Sequence, residues 1–106
     1  MAEPDRLDIL EATIRARMGA DPQSSYVAKL AASGRAKIAQ KLGEEATETV
    51  IAAMQGDKAA LTAEAADLLF HLIVLLADAG VSLDDVRAEL ARREGVSGLD
   101  EKAART

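Results

Sequence analysis

The chain has 106 residues, enough for one domain with a modest core. Hydrophobic residues make up 49% of it, yet there is one Tyr, one Phe and no Trp, so that core has to be built from Leu, Ile, Val and Ala. The absence of cysteine excludes disulfides and thiol-based metal sites or nucleophiles, and a net charge of −5 argues against a protein that coats nucleic acid.

In chain order the pattern is all-helical. The opening MAEPDRLDIL lacks the basic start and apolar run of a secretory signal, so a cytoplasmic protein is expected. Leu7, Leu10, Ile14 and Met18 recur at helical spacing and predict a first helix over 5–17. Gly19 and Asp21-Pro22 end it. Ser24 or Ser25 can cap a short helix to about residue 32, carrying Tyr26, Val27 and Leu30. After Gly34 a third helix is expected over 35–54, stopping near Gly56-Asp57, where Asp57 can cap the next. The fourth helix, 58–78, ends at Gly80. Ser82 and Asp85 form a capping-box pattern for a fifth helix that runs to Arg93 or Glu94. The ending GVSGLDEKAART has two glycines and no periodic apolar face, so 95–106 reads as loop with at most a last helical turn, and 1–4 as tail. The expectation is a single all-α bundle of about five helices.

The fourth helix has Leu61, Leu68, Leu69, Phe70, Leu72 and Ile73 to Leu76 pointing in every direction. A helix that is apolar all round must be buried all round, and four short neighbours can hardly surround it. A homodimer centred on this helix is therefore expected. Its apolar run, 65–79, is interrupted by Asp67, His71 and Asp78 and is too short and too charged for a membrane span.

Acids stand where this pattern calls for core. Residues three apart on a helix differ by about 60° around the axis and 4.5 Å along it, so Glu45 and Glu48 project from nearly one face, as do Glu64 and Asp67. Glu45 lies mid-stripe among Ile38, Leu42, Thr49 and Ala52; Glu64 shares a stripe with Leu68, His71 and Leu75. If the two helices pack through these stripes, four carboxylates face one another. Clustered carboxylates can be relieved by protonation or by a divalent cation. An oxygen-only donor set favours Mg²⁺, or Mn²⁺ in its place, over zinc, and Mg²⁺ commonly bridges to phosphates. A solvated acidic face remains the plainer alternative for either pair alone.

The same residues carry a family resemblance. EE-x-x-E followed by E-x-x-D resembles the all-α nucleoside triphosphate pyrophosphohydrolases of the MazG-like group. SYVAKL, GRAKIAQKLGEEATETVIAA, EAADLLFHLIVLL and a tail with SG and EKAAR resemble, more narrowly, the phosphoribosyl-ATP pyrophosphatase family over nearly the whole chain. The resemblance implies a dimeric all-α enzyme that hydrolyses phosphoribosyl-ATP to phosphoribosyl-AMP and pyrophosphate, the second step of histidine biosynthesis. It implies Mg²⁺ ligands at Glu45, Glu48, Glu64 and Asp67, with Glu44 available for a second metal or to orient a water. Some members of the family are fused to the following cyclohydrolase; with 106 residues and no cysteine for a zinc site, this chain is expected to be the stand-alone form.

In such a site Glu44 or Glu48 could take the proton of the attacking water. The substrate's phosphates also need protein cations. Arg35, Lys37 and Lys41 precede the acids on the same helix, while Arg92, Arg93, Lys102 and Arg105 form a second basic set, with Ser97 and Gly98 on a tail that could close over a phosphate. His71, one turn after Asp67, could hydrogen-bond Asp67 or Glu64. For His71 and Tyr26, the latter a candidate to lie near the substrate's base, a structural place in the core is the competing expectation, and Asp78 is expected to face solvent at the helix end. Two other functions share this sequence logic: a house-cleaning pyrophosphatase for a different nucleoside triphosphate, and a non-enzymatic helical dimerisation module whose acids form a polar interface.

Overall fold

A computed structural model describes residues 4–105, so the expectation for 1–3 and for Thr106 lies outside the described residues. The helices are α1 (Arg6–Arg17), α2 (Tyr26–Ala32), α3 (Arg35–Gln55), α4 (Lys58–Asp78), α5 (Leu83–Arg92) and α6 (Gly98–Arg105), and no strand occurs among the described residues. The all-α class is borne out, with one helix more than expected.

Local chemistry explains the boundaries. Asp5 and Asp8 form a reciprocal capping box at α1, and Ser82 and Asp85 form another at α5. Ser25 caps α2 through the Ala28 amide. Gly56 ends α3 at φ 73°, a left-handed conformation that glycine adopts without steric cost. Asp57 follows at once and accepts from the Ala60 amide at 3.0 Å. The chain therefore reverses within two residues, and α3 and α4 form a tight hairpin that is the most extensive helix pair of the fold.

The tail departs from expectation: Gly98–Arg105 is helical. The Ser97 hydroxyl accepts from the Asp100 amide at 3.1 Å, the same serine-to-third-residue cap that starts α5. That signal lay in the sequence but was outweighed by the absence of an apolar stripe.

One end of the hairpin is covered and the other is not. The core consists of Ile14, Val27, Leu30, Ile38, Ile73 and Val74, where α1 and α2 cross the start of α3 and the end of α4. Arg35 ties these two ends together, donating to the Asp78 carboxylate at 2.8 Å and to its backbone carbonyl at 3.1 Å. Asp78 is thus a partner of α3 rather than a solvent-facing residue. Arg87 holds α5 to the start of α1 through Asp8 at 2.7 Å, and Glu11 accepts from the Leu83 amide at 2.7 Å. Towards the turn, Val50, Ile51 and Met54 of α3 are exposed, and so is Leu69, midway along α4. The apolar run of α4 reads in the sequence as too short and too charged to span a membrane; by length and composition alone the whole helix passes for a span, but it packs against α3 and α1, and 17% of its most apolar stretch is buried.

Ile38 is fully buried where α3 meets the core. Ile38→Ala should therefore lower the unfolding free energy by about 2–5 kcal/mol in urea titrations.

Candidate active site

The acids sit midway along the hairpin, at the border between its covered and bare ends. On α3, Ile38 and Ala52 are buried and Leu42, Glu45 and Thr49 half-buried; on α4, His71 is buried and Glu64, Leu68 and Leu75 half-buried. The two stripes therefore turn towards each other with carboxylates in both. One oxygen from each of Glu45, Glu48 and Glu64 lies within 4.8 Å of the others. Asp67 is exposed and stands outside this closest group.

Two of the acids are poorly provided for. Oε2 of Glu45 and Oε2 of Glu64 are buried and accept no hydrogen bond. The nearby Thr49 hydroxyl cannot help Glu45, because it donates to the Glu45 backbone carbonyl at 2.7 Å. Burial raises the pKa of the Glu45 carboxyl above its ordinary value, and the Glu48 carboxylate raises it further. Burial likewise comes first for Glu64, followed by Glu48; Asp67 adds a smaller push to both. Orphaned carboxylate oxygens with no sulfur or accessible imidazole nearby fit a hard divalent cation such as Mg²⁺ or Mn²⁺.

Glu44 is exposed beside the cluster, with its carboxylate 4.0 Å from Lys41 Nζ. Lys41 and Lys37 line a cavity of about 250 Å³ together with Tyr26, Lys29, Leu30 and Ser33. The other predicted cations are placed differently. Arg35 is engaged with Asp78. Arg92 and Arg93 both pair with Glu89, and these contacts, Arg92 first, hold the Glu89 carboxyl down at about 2. Lys102 and Arg105 lie on α6, which has no packed face against α3 or α4; Ser97 caps that helix and Gly98 begins it.

His71 does not reach a carboxylate. Its Nδ1 is 2.8 Å from the Asp67 backbone carbonyl and its Nε2 is 2.8 Å from the Tyr26 hydroxyl. A carbonyl can only accept, so Nδ1 carries the proton and Nε2 accepts from Tyr26. The ring thus anchors the α4 backbone at Asp67 and orients Tyr26, which also stacks on Phe70 at 6.1 Å. Sequence reasoning missed Lys29. The signal for it was its place as the single charged residue of α2, between the buried Ala28 and Leu30.

A helical hairpin with carboxylates gathered across it and lysines alongside is the arrangement that the resemblance to all-α pyrophosphohydrolases implies. The family model described as phosphoribosyl-ATP pyrophosphohydrolase matches residues 7–94, and the chain belongs to that family. It is similar to proteins named phosphoribosyl-ATP pyrophosphatase from three bacteria. The Rhizorhabdus wittichii protein is 72% identical over 99 residues, covering 93% of each chain. The Erythrobacter litoralis protein is 67% identical, covering 93% of this chain and 95% of that one. The Azospirillum brasilense protein is 63% identical, covering 93% and 89%. The family match includes all the clustered acids and ends before α6.

The raised carboxyls predict a pH dependence. A carboxyl with a raised folded-state pKa favours folding while protonated, and that contribution is lost as pH climbs from the unfolded value near 4.5 through the folded one. Metal-free protein should therefore lose stability as pH rises above about 4.5, in denaturation midpoints taken across the range. Glu64→Gln should flatten this slope and leave the metal-free protein at least as stable at neutral pH.

Proposed function

We infer that this chain is a phosphoribosyl-ATP diphosphatase. It hydrolyses phosphoribosyl-ATP to phosphoribosyl-AMP and pyrophosphate, the second step of histidine biosynthesis, a reaction of the cytoplasm. The observation that carries this reading is the family match over 7–94, which brings with it the facing carboxylates of α3 and α4.

Glu45, Glu48, Glu64 and Asp67 would hold Mg²⁺, with Mn²⁺ as a substitute. Such a cation, when bound, neutralises charge on the triphosphate oxygens and favours attack of water at the α–β bond. The protein's own groups do the rest. Glu45 and Glu64 are fixed by burial in the stripe and serve as rigid ligands. Glu48 and Glu44 are more exposed and can accept the proton of the attacking water. Lys41 lies against Glu44 and can exchange that partner for a substrate phosphate. His71 is not a base in this scheme, because both of its ring nitrogens are already engaged. No covalent nucleophile is required.

The enzyme works as a homodimer. The exposed Val50, Ile51 and Met54 near the turn, the exposed Leu69 midway along α4, and the largely uncovered apolar surface of that helix support a second copy lying over the hairpin. Neither a membrane nor a nucleic acid is part of this reading.

Pyrophosphate release from phosphoribosyl-ATP, compared with a panel of ordinary nucleoside triphosphates, tests the assignment. Phosphoribosyl-ATP should be preferred, and Glu48→Gln should lower kcat by about 10²-fold or more. Preference for an ordinary triphosphate would move the protein to a house-cleaning role, and no release from any substrate would sink the enzymatic reading. Separately, Met54→Lys should shift the protein towards monomer in sedimentation runs while leaving its helix content intact.

A further inference from the structure

The cavity between α2 and α3 has a charge out of keeping with the rest of the molecule. The chain carries a net −5. Yet the cavity wall consists of Tyr26, Lys29, Leu30, Ser33, Lys37 and Lys41, three lysines and no acid. Lys41 leans on Glu44 at 4.0 Å, a contact at the limit of an ion pair, and Lys29 and Lys37 have no acidic partner among the described residues. Arg15, Arg35, Arg87, Arg92 and Arg93, by contrast, are all paired with carboxylates, Arg35 and Arg87 across helices and the others within their own helix or one residue past its end. Lysines gathered at a concave site without counter-charge raise the local concentration of anions.

The cavity also has an oriented wall. Tyr26 is 49% exposed, but its ring cannot swing freely. Its hydroxyl donates to His71 Nε2 at 2.8 Å, and Phe70 stacks on it with the ring planes 28° apart. Tyr26 and Lys29 continue into a wider depression of about 580 Å³ beside Pro22–Tyr26, so the groove is open at its far end and can admit a bulky ligand.

The position of the groove relative to the acids sets what it can bind. Lys37 and Glu45 are eight residues apart on α3, about 12 Å along the axis. Lys29 lies on the neighbouring helix, on the other side of the same cavity. A ligand whose triphosphate sits at the acids would therefore reach these lysines with its other end, across a ribose, a base and a second ribose. Resting on the function inferred above, we propose that Lys29 and Lys37, beside the fixed ring of Tyr26, bind the 5-phosphate of the substrate's second ribose and so select phosphoribosyl-ATP over ATP. Ordinary triphosphates occupy the acidic end alone and leave these lysines without an anion.

Steady-state kinetics on the full chain test this with two substrates: phosphoribosyl-ATP, and the same molecule with its ribose 5-phosphate removed. The unmodified protein should favour the phosphorylated form by about tenfold or more in kcat/KM. Lys29→Met and Lys37→Met should each raise KM for phosphoribosyl-ATP about tenfold with little change in kcat, as expected for lost ground-state binding. Neither change should alter KM for the dephosphorylated form. Equal losses on both substrates, or no loss on either, would overturn the assignment while the function stands. No hydrolysis of phosphoribosyl-ATP by the unmodified protein would overturn the function and this site with it.

Discussion

Carboxylates held in the half-buried seam of a helical hairpin repel each other and lose hydration, and the rest of this structure is arranged around that cost. Glu45 and Glu64 each keep a buried oxygen without a hydrogen-bond donor, with Glu48 close to both. That burial beside Glu48 disfavours the ionised form of both groups. The hairpin tolerates it because the closing forces lie elsewhere: the two-residue reversal at Gly56-Asp57, the core around Ile38, Ile73 and Val74, and the Arg35–Asp78 clamp. These hold α3 against α4 from both ends, so the acids between them cannot relax apart. A cation bound there would offset that repulsion and would raise the stability of the folded chain.

The division of labour between arginine and lysine follows from their chemistry. Arginine offers a planar fork suited to fixed pairing, and here it joins α3 to α4 and α5 to α1. Lysine is a mobile point charge on a flexible stem. Lys29, Lys37 and Lys41 line the cavity beside the acids, where a phosphate could claim them. Carboxylates thus gather midway along α3 and lysines nearer its start, a polarity that suits a ligand with phosphates at both ends.

Much of this was legible from residue spacing. Ser25, Asp57, Ser82 and Asp85 marked helix starts that the structure keeps, because capping is local chemistry. The facing stripes of α3 and α4 were legible because the helical period alone places Glu45 among Ile38, Leu42 and Thr49. Long-range pairing was not. Arg35 looked like a phosphate ligand on its own helix and instead meets Asp78, 43 residues away. His71 was expected at a carboxylate, yet it binds Tyr26, 45 residues away, and a backbone carbonyl. Periodicity carries no information about such partners. Helix α6 was hidden for another reason: it buries no continuous stripe, so its cap at Ser97 was the sole local sign of it.

We infer that the hairpin carboxylates form a divalent-cation site. Its most direct test is a calorimetric titration of Mn²⁺ into metal-free protein, unmodified and with Glu45→Gln and Glu64→Gln combined. The expected result is saturable binding to the unmodified chain and none to the folded double variant. Equal binding to both proteins, or no binding to either, would contradict it.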